Sequence, residues 1–231
     1  MIRRNKNGLI LFAKAPRPGR VKTRLQPELT MEQALTLYRA MVEDTVERLS
    51  DDHAWDMIIG FTPADSGDDM KSWLGASFNY ISQNGLNLGE RMRHALASVL
   101  NDGYEHAALV GSDIPLLSKN AVAGAFSGLE QHDAVIGPTN DGGYYLIGMN
   151  SDQPQLFKDI AWSTDRVFQQ TLRRAQKAHL NIGRLEPYAD IDTWSDVEQL
   201  WKRLQPMSAQ ELDSDQLRAT YAAIKRIFES N

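Results

Sequence analysis

Short apolar segments alternate with longer amphipathic segments along this chain, and this order restricts its fold more than any other feature of the sequence. The short segments have the character of buried strands, and the longer ones have the 3.6-residue period of helices. The alternation predicts a three-layer α/β/α fold built on a predominantly parallel, mixed sheet. Strands are predicted at residues 8–13, 55–61, 77–82, 106–113, 133–138, 144–149 and 180–186. Helices are predicted at residues 30–49, 69–74, 88–100, from 118 onward, 165–178, 193–204 and 215–228.

The connector between the fifth and sixth predicted strands interrupts the parallel order. It consists of Asn140, Asp141, Gly142 and Gly143, which are residues that tolerate a positive φ. We therefore expect these two strands to be antiparallel neighbours. The chain has 231 residues and no repeat, low-complexity tract or linker, which predicts one domain over residues 1–231.

The composition excludes several classes of protein. A formal net charge of -5, with 24% charged residues, argues against a general nucleic-acid-binding or anionic-membrane surface. Cysteine is absent, so neither disulfides nor thiolate chemistry is available, and the five histidines lie too far apart for a local zinc motif. No segment approaches the length of a membrane span. These features predict a soluble, cytoplasmic protein.

The loop after the first predicted strand gathers five cations in a chain of negative charge. Pro16, Pro18 and Gly19 stiffen and tighten this loop, which limits the entropy lost when it closes around an anion. Loops at the carboxyl end of the first strand lie where open α/β sheets bind ligands, so phosphate binding is predicted, with a solvated loop as the alternative. The glycine patterns of P-loop NTPases and of dinucleotide-binding dehydrogenases are both missing. The cations are Lys14, Arg17, Arg20, Lys22 and Arg24.

A carboxylate follows the strand LVGSDIP (109–115) directly. Asp113 could cap a turn, but a carboxylate beside a phosphate site is what Mg²⁺ or Mn²⁺ requires, because these ions bind one or two carboxylates together with phosphate oxygens. A second carboxylate is expected from elsewhere in the chain, and the segment YADIDTWSDVEQL (188–200) offers Asp190 and Asp192. Asp196 is explained by its favourable position in the first turn of a helix.

The segment QNGLNLGERM (83–92) contains two further candidates. Gln83 could contact a base edge through its amide, and Arg91 could reach a phosphate. The alternative is an N-capped helix that carries a surface arginine.

Acceptor-binding candidates come from the following two motifs. In DGGYYLIG, Gly142 and Gly143 permit close approach to a ligand, and Asp141 could bind an acceptor hydroxyl or act as a general base. A simple turn is the alternative for the glycines. Trp162 could stack on a sugar face, and Tyr144 is the other aromatic candidate, although both side chains could belong to the core.

Taken together, six motifs resemble the DUF2064 branch of the nucleotide-diphospho-sugar transferase superfamily, whose fold is called GT-A. The resemblance extends from about residue 9 to about residue 203 and keeps the motifs in order. The motifs are FAKAPRPGRVKTRL, QNGLNLGERM, LVGSDIP, GPTNDGGYYLIG, AWSTDRVFQQTLRR and DIDTWSDVEQL.

The resemblance implies roles for several residues. It implies that the loop from Lys14 to Arg24 binds the nucleotide and its phosphates and that Asp113 holds the metal. It implies that Asp192 is the second ligand, with Asp190 as the alternative because the spacing is ambiguous by two residues. Because Gly111-Ser112-Asp113 replaces the D-x-D of many glycosyltransferases, the single acid is more similar to the pattern of nucleotidylyltransferases.

The sequence is therefore interpreted as a metal-dependent glycosyltransferase that uses a nucleotide-diphospho-sugar, Mg²⁺ or Mn²⁺ and a small-molecule acceptor. Arg20, Lys22 and Arg24 would stabilise the leaving diphosphate. If the transfer inverts the anomeric centre, a base is needed on the acceptor, and Asp141 is the candidate; the sequence leaves inversion and retention open. The alternative is a nucleotidylyltransferase, in which Lys22 or Arg24 would stabilise a pentacoordinate phosphorus. A non-catalytic nucleotide-binding protein is a third interpretation.

Overall fold

The first strand shows why the sheet is covered on both faces. The structure, a computed structural model, describes residues 5–50 and 54–230, so the predicted domain of residues 1–231 extends slightly beyond this description. In the first strand Leu9 and Leu11 pack into one hydrophobic cluster, whereas Ile10 and Phe12 pack into another on the opposite face. Successive side chains of a strand point to opposite faces, so helices must cover both sides.

Seven strands form one sheet in the order β3-β2-β1-β4-β6-β5-β7. Strand β6 runs antiparallel to β4 and β5, and the other neighbouring pairs are parallel. The strands are β1 (Asn7–Lys14), β2 (Asp56–Thr62), β3 (Asn79–Ser82), β4 (His106–Gly111), β5 (Ala134–Pro138), β6 (Tyr144–Met149) and β7 (Ile182–Arg184).

Two layers of helices enclose this sheet. Helices α1, α2 and α4 contribute to the cluster on one face, and α3 and α5 contribute to the cluster on the other. The outer side of α1 packs against α6, α7 and α8 in a third cluster. The helices are α1 (Met31–Ser50), α2 (Gly67–Leu74), α3 (Leu88–Asn101), α4 (Lys119–Leu129), α5 (Val167–Lys177), α6 (Trp194–Leu204), α7 (Ala209–Ser214) and α8 (Arg218–Ser230).

Hydrogen bonds at the helix starts explain where several helices begin. The Thr30 hydroxyl accepts from Gln33 N at 3.2 Å, and the Gln33 side chain accepts from Thr30 N at 2.9 Å, which completes the capping box of α1. The Ser118 hydroxyl caps α4 by accepting from Ala121 N at 3.2 Å.

The predicted three-layer α/β/α class and the antiparallel pair β5-β6 are confirmed. Helix α7 was not predicted, because its six residues are too short to show a helical period. Within the described residues, no helix combines the length and the apolar character that a membrane crossing requires.

Candidate functional site

A cavity of about 710 Å³ opens at the carboxyl ends of β1 and β4. The loops that follow these two neighbouring parallel strands supply one side of its lining, and the β5-β6 connector and residues 162–167 supply the other. This is the edge of an open α/β sheet at which ligands bind.

The polypeptide that follows β1 is held in a defined path along the cavity. The Tyr38 hydroxyl accepts from Lys14 N at 2.7 Å and donates to Lys14 O at 3.0 Å, so α1 fixes the end of the strand. Arg20 N donates to Arg17 O at 3.1 Å across Pro18 and Gly19, and Gly19 has a φ of 70°. Proline followed by a glycine of positive φ is the pattern of a type II turn, which explains both residues by local conformation.

Lys22 lies at the centre of the charged end of the cavity. Its ammonium contacts Asp113 Oδ1 closely, lies 3.3 Å from Asp192 Oδ1 and donates to Ile191 O. The side chain is only 4% exposed, although the two carboxylates are about 40% exposed, at 42% for Asp113 and 36% for Asp192. Burial of the ammonium lowers the pKa of Lys22, but the two carboxylates outweigh burial and hold this pKa above its ordinary value.

Backbone contacts bring Asp113 and Asp192 together. Ile191 N donates to Asp113 O at 3.0 Å, which joins the end of β4 to the segment before α6. Asp196 Oδ2 accepts from Asp192 N at 3.1 Å and from Thr193 N at 2.7 Å, so the N-terminal cap of α6 fixes this segment. The predicted capping role of Asp196 is confirmed.

Another wall of the cavity is built by the connector between β5 and β6. Asp141 Oδ1 accepts from the Thr139 hydroxyl at 2.5 Å and from Gly143 N at 3.0 Å, so the carboxylate is fixed by its own turn. Gly142 has a φ of 88°, and a Cβ there would lie 2.6 Å from the carbonyl carbon of Asp165. Phe168 N also donates to Gly142 O at 2.9 Å. The connector and the segment before α5 therefore form one packed unit.

Trp162 forms an aromatic side of the cavity and is half-buried. It makes an edge-to-face contact with Tyr144 and a stacked contact with Phe157, each with ring centroids 6.4 Å apart. Its indole also lies against Gly89 in the first turn of α3, at a position where a Cβ would overlap the ring. Trp162 is thus both a packing residue and part of the cavity lining.

Charges are unevenly distributed around the cavity. Among the described lining residues, the cations lie only at the end of β1 and on the loop after it, whereas the carboxylates come from four separate segments of the chain. The three cations are Lys14, Lys22 and Arg24, and the five carboxylates are Asp113, Asp141, Asp165, Asp190 and Asp192. Burial, followed by the charge of Asp141, raises the pKa of Asp190 to about 6.

The structure brings most of the predicted site residues to this cavity. The predicted residues in the lining are Lys14, Lys22, Arg24, Gln83, Asp113, Asp141, Gly143, Tyr144, Trp162 and Asp192. Asp190, the alternative to Asp192, also lines the cavity. However, Asp192 shares the Lys22 ammonium with Asp113, whereas the pKa of Asp190 responds more strongly to Asp141 than to Asp192.

The other predicted residues lie outside the lining and make local contacts. Arg17 lies 3.7 Å from Asp65 and 3.6 Å from Asp69, beside α2. Arg91 Nε donates to Gly85 O at 3.1 Å, which holds the loop before α3. Gly19, Arg20 and Gly142 are likewise outside the lining. Gly142 was predicted to allow a ligand to approach closely, but the group packed against it is the backbone of Asp165.

Gln83 is held in the lining by backbone contacts. Its side-chain nitrogen donates to Gly60 O at 2.9 Å and to Ala13 O at 3.4 Å, so this amide bridges the ends of β1 and β2. The predicted contact of Gln83 with a base stays a prediction.

The donor atoms around Lys22 fit a hard divalent cation. Asp113 Oδ1, Asp192 Oδ1 and Ile191 O already converge on one positive charge, and all three atoms are oxygens. Within residues 5–50 and 54–230 no group of three His, Cys, Asp or Glu side chains is placed to hold a metal ion. A cation would thus depend on these two carboxylates and on oxygens of a bound nucleotide, as Mg²⁺ commonly does.

Asp165 and Tyr38 are two polar lining residues that the sequence did not single out as site residues. Asp165 belongs to the motif AWSTDRVFQQTLRR, but nothing in its spacing distinguishes it from a residue that starts a helix. Tyr38 lies on α1 among core residues of the same helical period, and its hydroxyl contacts could not be deduced from that period.

Fold and cavity together define a protein with a mixed α/β sheet and a cleft at the carboxyl edge of its strands, where open sheets of this kind bind ligands. The profile of the family described as an uncharacterized protein conserved in bacteria (DUF2064) matches residues 45–164. The chain belongs to the DUF2064 family. A comparison with curated proteins gives no match.

Solved structures place this family in a larger fold group. A crystal structure from Desulfovibrio desulfuricans G20, described as a candidate nucleotide-diphospho-sugar transferase, is 37% identical, with a TM-score of 0.86 and coverage of 97% of this chain and 99% of that one. The 4-diphosphocytidyl-2C-methyl-D-erythritol synthase of Anaerococcus prevotii DSM 20548 is 12% identical, with a TM-score of 0.56 and coverage of 87% and 97%. A CMP:2-keto-3-deoxy-manno-octonic acid synthetase in complex with CTP is 11% identical, with a TM-score of 0.54 and coverage of 86% and 98%.

These comparisons confirm the predicted family, the predicted fold and the prediction that the chain is an enzyme of this superfamily. The two synthetases share only the fold with this chain, because their identities are far below 25%.

Proposed function

We propose that this chain is a metal-dependent glycosyltransferase that moves a sugar from a nucleotide-diphospho-sugar to a hydroxyl of a small-molecule acceptor. The uneven charge of the cavity carries the proposal. Its three cations come from the end of β1 and the loop after it, whereas Asp141 and Asp165 come from the β5-β6 connector and the segment before α5. This arrangement suits a ligand that is anionic at one end and rich in hydroxyl groups at the other.

The diphosphate of the donor would bind at the cationic end. Lys14 and Arg24 line this end, and Asp113 and Asp192 would hold Mg²⁺ or Mn²⁺. Because the cavity lining contains more carboxylates than cations, a diphosphate requires an additional counter-charge, which supports metal dependence. When bound, the metal would neutralise charge on the leaving nucleoside diphosphate.

The acceptor hydroxyl would bind near Asp141. The contacts from Thr139 and Gly143 fix this carboxylate, which would take the proton of the hydroxyl as its oxygen attacks the anomeric carbon. A bond forms between this oxygen and the anomeric carbon, and the bond from that carbon to the diphosphate breaks. Trp162 would offer its exposed part to a sugar face.

A nucleotidylyltransferase is the second candidate. It is favoured by the single acid of Gly111-Ser112-Asp113 at the end of β4. Against it, a phosphorylated or carboxylated acceptor would meet Asp141 and Asp165 on a wall whose described lining residues include no cation. That wall suits a neutral acceptor better than an anionic one.

The experiment compares the two chemistries in one assay. Purified protein is incubated with a panel of nucleotide-diphospho-sugars or NTPs, Mn²⁺ and a pool of small-molecule acceptors, and released nucleoside diphosphate and pyrophosphate are quantified by chromatography. Metal-dependent release of nucleoside diphosphate, with a new glycosylated product, supports the proposal. Release of pyrophosphate from an NTP, without turnover of any sugar donor, would support the second candidate.

Matched variants assign the activity to this cavity. Asp113→Asn is expected to abolish release, whereas Asp68→Asn makes the same chemical change at a fully exposed residue outside the lining and is expected to leave release unchanged.

A further inference from the structure

Lys22 differs from the other two cations of the cavity in how its charge is satisfied. Its side chain is 4% exposed and its ammonium contacts three oxygens, whereas the Arg24 side chain is 68% exposed and reaches Asp192 Oδ2 at 3.3 Å. Lys14 is exposed at the end of β1. Lys22 is therefore bound to the carboxylate pair as an internal cation.

Lys22 also has an unusual backbone conformation. Its φ of 46° and ψ of 42° are those of the left-handed region, which a residue with a Cβ seldom adopts. A turn of 3₁₀ helix over Thr23–Leu25 follows at once, and Leu25 N donates to Lys22 O at 3.0 Å. A strained conformation of this kind persists where its surroundings determine it, and here the contacts of the ammonium do so.

The oxygens that hold the ammonium are the same ones that would hold the proposed metal. Asp113 Oδ1, Asp192 Oδ1 and Ile191 O converge on one point, and one cation can occupy that point at a time. Lys22 and a metal ion must compete for these oxygens.

We infer that Lys22 is an internal competitor that determines which cations the Asp113–Asp192 pair accepts, an inference that rests on the proposed function. A monovalent ion brings no more charge than the ammonium it would displace, and the ammonium is tethered beside the pair at a high effective concentration. A divalent ion brings twice the charge and displaces it. The site thereby rejects Na⁺ and K⁺, and the released ammonium becomes available to the phosphates that the sequence predicts for it.

The first test measures the affinity for Mn²⁺ by calorimetry without nucleotide. Lys22→Met removes the competitor, so it is expected to tighten Mn²⁺ binding at least 10-fold, equivalent to about 1.4 kcal/mol. Lys14→Met removes one charge from the same cavity without freeing the carboxylates, so its effect is expected to stay within about threefold. The Lys22→Gln variant is measured alongside, and the thermal midpoint of each variant establishes that it is folded.

The outcomes separate this inference from the proposed function. Unchanged or weaker Mn²⁺ binding by both Lys22 variants, with normal binding by the wild type, would overturn the role of Lys22 and leave the metal site intact. Absence of Mn²⁺ binding in the wild type and in every variant would instead refute the metal assignment, and this inference with it.

The second test uses the unmodified protein and needs no activity. Brief acetylation with acetic anhydride, followed by peptide mass spectrometry, reports how accessible each lysine is. Saturating Mg²⁺ is expected to increase the labelled fraction of Lys22 several-fold relative to KCl of equal ionic strength, while labelling of the exposed Lys202 on α6 stays constant. Equal labelling of Lys22 in the two salts at saturating Mg²⁺ would contradict displacement.

Discussion

Replacement of Gly142 by alanine tests how the acceptor wall is assembled. Gly142 has a φ of 88°, and its Cα faces the backbone of Asp165, where an added Cβ would lie 2.6 Å from the carbonyl carbon. An L-residue with a side chain in this region loses about 1–2 kcal/mol. Separating the two segments would also lose the hydrogen bond from Phe168 N to Gly142 O, which contributes about 0.5–1.5 kcal/mol.

The expected loss of unfolding free energy is therefore roughly 2–3 kcal/mol, which lowers the thermal midpoint by roughly 5–10 °C in a protein of this size. Urea unfolding gives the free energy directly. Gly124→Ala is the matched control, because Gly124 is an exposed residue of α4 at which an added Cβ meets no described atom within 4 Å. This control is expected to stabilise the protein by about 0.5–1 kcal/mol.

Gly142→Ala also separates the two ends of the cavity. The change displaces Asp141 and Asp165, but it leaves the contacts of Lys22 with Asp113 and Asp192 in place. Glycosyl transfer is expected to fall more than tenfold while Mn²⁺ affinity stays within about twofold. A variant as stable as the wild type, with unchanged transfer, would refute the packing of the wall described above.

Three further predictions concern other parts of the molecule. Arg48 is 6% exposed and donates to Pro115 O at 2.6 Å, so Arg48→Met is expected to lower the unfolding free energy by about 3 kcal/mol or more. Arg203→Met, at an exposed residue, is expected to change the unfolding free energy by less than about 0.5 kcal/mol, and equal effects of the two variants in urea unfolding would contradict this prediction. Burial, and then the charge of Lys6, lowers the pKa of His106 below its ordinary value of 6.5. The unfolded state therefore binds the proton more readily, and the unfolding free energy falls as the pH decreases through 6.5. His106→Gln is expected to flatten this dependence of the unfolding free energy on pH, and an unchanged dependence would contradict the role of His106. Asp141→Asn keeps an oxygen that can accept the hydrogen bonds of its turn, but it removes the base. Turnover is therefore expected to fall about 100-fold or more, with the affinity for the sugar donor unchanged. Full turnover by this variant would exclude Asp141 as the base.

The fold could be predicted from the sequence because its determinants are local. Leu9 and Leu11 alternate with Ile10 and Phe12 over an unbroken apolar run, which is the pattern of a strand buried on both faces. The residues of Asn140–Gly143 favour positive φ, and this local preference was sufficient to predict an antiparallel pair.

Contacts within the site depended on tertiary structure and could not be predicted. Lys22 and Asp192 are 170 residues apart in sequence, and no spacing rule connects a loop lysine with that carboxylate. The same limit applies to Arg91, whose guanidinium holds the Gly85 carbonyl, and to Gly142, which packs against backbone. Arginine favours a phosphate contact and glycine favours close approach of a ligand, but in this fold Arg91 binds a neighbouring backbone carbonyl and Gly142 packs against neighbouring backbone.

The central claim is that a nucleotide-diphospho-sugar binds together with a divalent cation at Asp113. The most direct measurement is a thermal-shift panel of nucleotide-diphospho-sugars and matching NTPs, each with and without Mn²⁺, on the wild type and on Asp113→Asn. A donor at 100 times its Kd stabilises the folded state by about 2.7 kcal/mol, so a rise of roughly 5–10 °C is expected. A sugar donor is expected to give this rise only with Mn²⁺ and to exceed the rise given by the matching NTP, and Asp113→Asn is expected to abolish it. Stabilisation that is independent of Mn²⁺, or an equal response from Asp113→Asn, would contradict the account.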